Sequence, residues 1–464
     1  MNKLYLGAAS MSLLCLGSCA ESNVAKPNIL MIIVDDAGYN DFGFMGSQDL
    51  ETPNIDKLAS NGIVFTDAHV SASVSGPSRA GMLTGRYQQR NGYECNLDNI
   101  LGLGLEESTI ADLLSAEGYS TACIGKWHQG DGAEYHPNRR GFDHFFGFIS
   151  GSRSYFYRPN GNDKPGANHA LQLNGVNHPF DGYMTDVLAD GANEYITKCA
   201  DKSSPFFMYL AFNAVHTPME ATEEDLARYE GHPRQVLAAM TWALDRAVGS
   251  VVENLEQHNL MDNTLIFFVS DNGGAHNNQS SNFPLKGFKG NKFEGGHRVP
   301  FFMCYADKYK GHYDGLTSSL DMAATALTLA GVDTKGLERP LDGVDLIPYL
   351  NGKVAGEPHN QLFWRKEDMA AARSGAYKLI RVKGVGERLY NVENNYNEDD
   401  DLREQEPEIT ANLQKALNEW EKGLITPILW NEGIWNDVTR EIHRDLMENR
   451  PVSCYTPEQL KKQE

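Results

Sequence analysis

Three short apolar runs each lead into residues able to hold a cation or move a proton. Ile29–Val34 ends in Asp35-Asp36, and Leu265–Val269 ends in Ser270-Asp271-Asn272-Gly273. Phe206–Phe212 leads through Asn213-Ala214-Val215 to His216. Carboxylates and amides hold hard cations, and an imidazole shuttles protons near neutral pH. Taken alone, each acidic pair fits a helix N-cap or an Asx turn equally well, and His216 alone fits a hydrogen-bonded structural histidine. Their shared position after an apolar run makes them one candidate composite site. A second chemical feature is Ser75-Gly76-Pro77-Ser78-Arg79-Ala80-Gly81-Met82-Leu83-Thr84-Gly85-Arg86. It reads as a small-residue loop entering a helix, with Pro77 near the first turn and a hydroxyl just outside. A helix N-terminus attracts anions, and Arg79 adds a forked, fixed cation. Alone, the segment would fit a capped structural helix as well.

The elements that must position these residues are legible in outline. The apolar runs have the length and β-branched content of strands buried on both faces. Thr109–Glu117, Thr185–Thr197 and Val236–Gln257 carry helical spacing between them. Short buried strands alternating with helices predict an α/β domain around a largely parallel sheet. In such sheets functional groups gather beyond the carboxyl ends of the strands, where the acids and His216 fall. After about Pro340 the texture changes. Gln361–Arg365, Ala372–Val382 and Glu387–Tyr390 read as short strands joined by turns, Glu398–Asp401 as a solvated acidic turn, and Pro407–Lys422 as a helix. That order predicts a small antiparallel α+β subdomain. The final segment, with Trp430 and Trp435, is expected to wrap back onto the larger domain.

Ser75-Gly76-Pro77-Ser78-Arg79, followed after three residues by Leu83-Thr84-Gly85-Arg86, resembles the signature of type I, formylglycine-dependent sulfatases. Gly118–His128, Lys286–Gly290 with Glu294–Pro300, and Leu341–Asp345 are similar to further segments of that family, so the resemblance spans roughly Pro27 to Leu424. It implies an alkaline-phosphatase-like fold: a large mixed, mostly parallel sheet flanked by helices, plus a small C-terminal α+β subdomain with an antiparallel sheet. It also implies that Ser75 is oxidised to formylglycine, as in Ser-type bacterial enzymes, by a radical-SAM maturase before export. The hydrated aldehyde would attack sulfur to form a covalent sulfate hemiester, and its second hydroxyl would then expel sulfate. By resemblance, Asp35, Asp36, Ser75, Asp271 and Asn272 hold one metal ion. Three carboxylates and an amide oxygen make a hard, all-oxygen set that suits Ca²⁺. Arg79 would hold the nucleophile, Lys126 and Lys289 would bind sulfate oxygens, His128 would hydrogen-bond the diol, and His216 would protonate the leaving oxygen. Lys289 fits the sulfate-binding position better than Lys286, and Arg298 is expected to pair with a metal-site carboxylate. Arg153, His276 and Asn277, on loops near these motifs, are candidate substrate contacts.

The implied activity is hydrolysis of sulfate esters on a sulfated galactose or N-acetylhexosamine unit of a glycan. Two alternatives stand beside it. One is a phosphohydrolase of the alkaline-phosphatase-like superfamily, against which the complete motif around Ser75 argues. The other is a non-catalytic glycan-binding lipoprotein, should Ser75 stay unmodified. The chain of 464 residues carries 41 Lys+Arg against 62 Asp+Glu, a formal charge of −21. That excess argues against nucleic acid as a partner, since phosphate contacts need a cationic face. Met1–Cys19 has the shape of a secretory leader with a lipobox-like Leu16-Gly17-Ser18-Cys19, so the expected organisation is a leader over 1–19, a catalytic domain over 25–340 and a C-terminal subdomain with a wrapping tail over 341–464. This predicts an exported protein, periplasmic or anchored to the outer membrane of a Gram-negative bacterium through lipid on Cys19. The remaining cysteines, Cys95, Cys123, Cys199, Cys304 and Cys454, are scattered and form no zinc or dense disulfide pattern, though one disulfide is open.

Overall fold

The computed structural model describes residues 26–96, 101–202, 204–393, 395–428 and 433–462. The leader with Cys15 and Cys19 lies outside them, as does Trp430. In chain order the first strands are β1 (Asn28–Val34), β2 (Ile63–Phe65), β3 (Ala68–His69), β4 (Ser120–Lys126), β5 (His144–Phe148) and β6 (Gln172–Leu173). Then follow β7 (Val176–Asn177), β8 (Phe206–Ala211), β9 (Thr264–Ser270), β10 (Phe301–Tyr305), β11 (Gly311–Tyr313) and β12 (Thr317–Ser318). Ten of them form one sheet in the order β11-β2-β10-β9-β1-β8-β4-β5-β6-β7, while β3 and β12 pair separately. The central strands β9, β1, β8, β4 and β5 are all parallel, and β10 and β6 run antiparallel at either flank.

The strand alternation explains why β1 reads as an unbroken apolar run. Leu30, Ile32 and Val34 enter one core with the helices Met184–Lys202 and Gln235–Gln257. Ile29, Met31 and Ile33 enter a second core on the opposite face with Met82 and Leu83 of the helix Ser75–Thr84. A strand covered on both sides has no polar face to show. The helix expected over Thr109–Glu117 is Ile110–Ala116, started by a capping box in which Thr109 and Asp112 satisfy each other's backbone.

The C-terminal sheet is a meander of β13 (Gln361–Lys366), β14 (Met369–Ser374), β15 (Tyr377–Val382) and β16 (Gly386–Asn391). The apolar stretch Ala372–Val382 is thus a hairpin, turned at Gly375, whose φ of +53° lies in the region that favours glycine. The helix Pro407–Lys422 covers one face of this sheet, and Ile434–Met447 covers the other together with Phe293 and Leu316 of the large domain. Leu346 belongs to the core under the large sheet, so the chain just after residue 340 still packs with the catalytic domain. The acidic turn is solvated only in part. Glu398 is fully buried, with Lys378 Nζ 2.7 Å from its carboxylate, because Lys378 and the backbone N–H of Glu294 need an acceptor there. All five described cysteines are buried, and no disulfide joins any two of them. No helix among the described residues is long and apolar enough to cross a membrane.

Candidate active site

The helix Ser75–Thr84 is buried along its whole length, and Val74 before it is extended and offers no side-chain cap. Ser75 is therefore free of capping duty. Its Oγ lies 3.0 Å from Asn272 Oδ1 and 3.3 Å from Asp35 Oδ1. Asn272 Nδ2 donates to Asp36 Oδ1 at 2.8 Å, and the Asp36 N–H donates to Asp271 Oδ1 at 3.3 Å. These groups come from the ends of neighbouring parallel strands: Asp35 and Asp36 follow β1, and Asp271 and Asn272 follow β9. Parallel pairing puts both carboxyl ends on one edge of the sheet, and the helix carrying Ser75 brings its N-terminus to that edge. Asp36 has a φ of +62°, uncommon for a residue with a side chain and typical of strained functional positions.

Cations close the site from three sides. Arg79 Nε donates to Asp271 Oδ2 at 2.7 Å and Nη1 to the Lys126 carbonyl at 3.2 Å, while Nη2 has no hydrogen-bond partner although it is buried. Lys126 Nζ lies 2.5 Å from Asp35 Oδ2, and Lys289 Nζ lies 2.8 Å from Asp36. Burial pushes the Asp35 carboxyl up, but Lys126, His216, Arg79 and Lys289 outweigh it and hold it well below the usual carboxylate range. Asp271 goes the other way, pushed up to about 6 by burial and then by the Asp35 charge. Burial, followed by Lys126 and Arg79, pushes the His128 imidazole well down, so its ring is neutral. Gly151 makes room for that ring: a Cβ there would come within 2.6 Å of His128 Cε1. His216 Nδ1 donates to the Thr217 carbonyl at 2.6 Å, which leaves Nε2 facing Asp36 Oδ2 at 3.5 Å.

The donor set fits a hard divalent cation. Three carboxylates, the Asn272 amide oxygen and the Ser75 oxygen converge with no thiol among them, and a cation bound there would offset the repulsion from Asp35 that adds to burial in raising Asp271. Asp35, Asp36 and His216 offer ligand atoms all within 4.8 Å of one another. A second buried trio, His69, Glu294 and His297, meets the same spacing, but Arg373 and Lys378 already neutralise it.

Two expectations are corrected. Arg153 does not face substrate: its side chain is 0% exposed, paired to both Asp163 oxygens and bonded to the carbonyls of Ser154 and His169. Arg298 pairs with Glu294 and Asp67 and donates to the Thr66 carbonyl, away from the metal-site acids. Lys286 reaches the Glu398 carbonyl and Asn449 instead of the site, so that of the two lysines in this segment Lys289 is the one at the acids. His276 and Asn277 are exposed on the loop after Asn272. The inward residue of that loop is Asn278, which the sequence does not single out. Its buried amide donates to the carbonyls of Asp36 and Val215, tying two loops of the site together. Tyr155 acts similarly, with its hydroxyl against the carbonyls of Asn213 and His216. Neither carries a spacing signal, since both partners lie far away in sequence.

A hydroxyl held among carboxylates and ringed by an arginine, two lysines and two histidines, at the carboxyl edge of a sheet covered on both faces, defines a metal-assisted hydrolase of anionic esters with an alkaline-phosphatase-like fold. The sulfatase family profile matches residues 27–332. The chain is 32% identical over 399 residues to the uncharacterized sulfatase YdeN of Escherichia coli, covering 74% of this chain and 69% of that one. It is 30% identical over 399 residues to human N-acetylgalactosamine-6-sulfatase, covering 78% and 73%. Among solved structures, Ps i-CgsB in complex with a neocarrahexaose superimposes with a TM-score of 0.82 at 36% identity, covering 89% of this chain and 96% of that one. The chain belongs to the sulfatase family and is a sulfuric ester hydrolase.

Proposed function

We propose that the enzyme removes sulfate from a sulfated galactose or N-acetylhexosamine unit of a glycan, with a formylglycine made from Ser75 and one bound Ca²⁺. The observation that carries this reading is the convergence on Ser75 Oγ of Asp35 and Asn272, on a helix that the hydroxyl does not cap. Related enzymes named for N-acetylgalactosamine-6-sulfate and a relative solved with a carrageenan-type hexaose support a carbohydrate leaving group. Asp35, Asp36, Asp271, Asn272 and the residue-75 oxygen would hold the cation, which when bound would neutralise charge on the sulfate and make the adjoining nucleophile more acidic. Oxidised to an aldehyde and hydrated by one water, residue 75 would offer two geminal hydroxyls, one to accept the sulfuryl group and one to release it. Lys126 and Lys289 supply ammonium donors for sulfate oxygens, and Nη2 of Arg79, which makes no hydrogen bond and lies 3.8 Å from Asp35 Oδ2, supplies a third cationic donor. His128, neutral and half-buried, accepts a proton from the diol, and His216 delivers one to the sugar oxygen from Nε2.

The leader Met1–Cys19 supports export, with lipid on Cys19 as the membrane anchor, after a maturase has acted on Ser75. Peptide mass spectrometry of active enzyme tests the chemistry. The peptide containing residue 75 should be lighter by two hydrogen atoms, and Ser75→Ala should abolish turnover. An intact serine in fully active material, or activity in the alanine variant, sinks the mechanism.

A further inference from the structure

Three aromatic rings from distant parts of the chain meet beside the acids. His276 and Tyr455 stack with centroids 4.3 Å apart and ring planes 23° from parallel. Phe288 stands at their side, 5.3 Å from His276 and 5.9 Å from Tyr455. The cluster is locked to the catalytic edge by backbone. The Lys289 N–H donates to the Gly274 carbonyl at 3.1 Å, which sets Phe288 next to the loop that runs from Asn272 to His276, while Lys289 Nζ reaches Asp36. Yet the rings do not form a closed core: His276 is exposed, and Phe288 and Tyr455 are half-buried.

The tail that brings Tyr455 here is held rigidly. Ser453 donates through N–H and Oγ to Asp445, Cys454 is fully buried, and the Tyr455 N–H donates to Gln459 Oε1 at 2.6 Å. Asn449 accepts from Lys286 and donates to the Asp399 carbonyl, tying the start of the tail to the same loop as Phe288. A preorganised, partly open aromatic face needs no ordering before it meets a ligand. The apolar C–H face of a pyranose ring is the complement of such a surface, while its hydroxyls stay free for polar groups.

We infer that Tyr455, stacked under it, and Phe288, at its side, hold the exposed ring of His276 as an aromatic platform on which the pyranose ring of the sulfated unit lies, so that the C-terminal tail helps to read the leaving group. This rests on the sulfated-glycan reading above. The test uses full-length, matured enzyme and whichever sulfated galactose or N-acetylhexosamine oligosaccharide it turns over fastest. Tyr455→Ala should raise KM about tenfold, leave kcat within about threefold, and leave competitive inhibition by inorganic sulfate unchanged, because the sulfate-binding cations are untouched. Tyr455→Phe should restore KM, since the stack uses the ring and not the hydroxyl. His276→Ala, at an exposed position, should raise KM in the same way and serves where the alanine at 455 impairs folding. Active wild-type enzyme with an unchanged KM in the Tyr455 and His276 alanine variants overturns the platform alone. Equal losses in kcat, KM and sulfate inhibition mean a structural role and overturn it too. Matured wild-type enzyme that desulfates no such oligosaccharide overturns the sulfated-glycan reading, and the platform with it.

Discussion

His216 shows how one contact can decide a role. Its Nδ1 is committed to the Thr217 carbonyl, so a proton moved in catalysis sits on Nε2, the atom directed at the acids. A sugar alkoxide is a poor leaving group without that proton, whereas nitrophenolate departs readily. His216→Ala should therefore lower kcat on a sulfated sugar by about 10²–10⁴, but on 4-nitrophenyl sulfate by less than about tenfold. Equal losses on both substrates would remove His216 as the acid. Gly151 tests His128 in the same spirit. Gly151→Ala pushes a methyl group into the imidazole, and a displacement of this size should cost roughly 10–100-fold in kcat, with the melting temperature nearly unchanged. A variant with normal kcat would show that the His128 ring position is immaterial. The residues legible in the sequence are those whose type is rare at a strand end or fixed by the motif, such as Asp35, Asp271 and Arg79. Asn278 and Arg153 were not, because the direction of a loop side chain is set by distant partners: Asp36 and Val215 for one, Asp163 for the other.

At the scale of elements, periodicity carried far. The strands β1, β8 and β9 follow from unbroken apolar runs covered on both faces, and the helix Gln235–Gln257 from the apolar spacing of the face it buries. What spacing could not display is the docking of the C-terminal elements. Glu398 sits in an acidic run that any composition argument leaves in water, yet Lys378 and Glu294 draw it inside. The helix Ile434–Met447 is joined to the large domain through His443, whose Nε2 accepts from the Lys292 N–H and whose Nδ1 donates to the Thr439 carbonyl. Burial pushes this imidazole down to about 3, so it stays neutral in the folded protein. An unfolded histidine titrates near 6.5. Below that pH the unfolded chain binds a proton that the folded one does not, and stability drains away as pH falls towards 3. His443→Gln keeps a donor and an acceptor without the titration. Between pH 6 and 4 its loss of stability should be shallower than wild type by roughly 1.4 kcal/mol per pH unit, read from denaturant midpoints. Parallel pH profiles would mean that His443 is already charged in the fold.

At the scale of the whole molecule, the charge of −21 and the anionic substrate have to be reconciled. The positive groups proposed to meet sulfate, buried Arg79 and Lys126 and half-buried Lys289, are gathered at one sheet edge. The rest of the surface carries the acid excess, and its field extends about one Debye length, roughly 8–10 Å at physiological ionic strength. A single sulfate entering the pocket crosses that field once and is then met by fixed cations. A long, densely sulfated chain keeps most of its charges outside, where they face the acidic shell at every position. The enzyme should therefore favour short or terminally sulfated glycans at low salt. Raising ionic strength from about 20 to 200 mM shortens the Debye length roughly threefold. It should lower KM for a polysulfated polymer several-fold, while KM for a monosulfated sugar stays flat or rises slightly as the pocket cations are screened. Comparing the two substrates over a salt series makes the check, and a polymer turned over equally well at low salt would show that the acidic shell lies away from the path the chain takes.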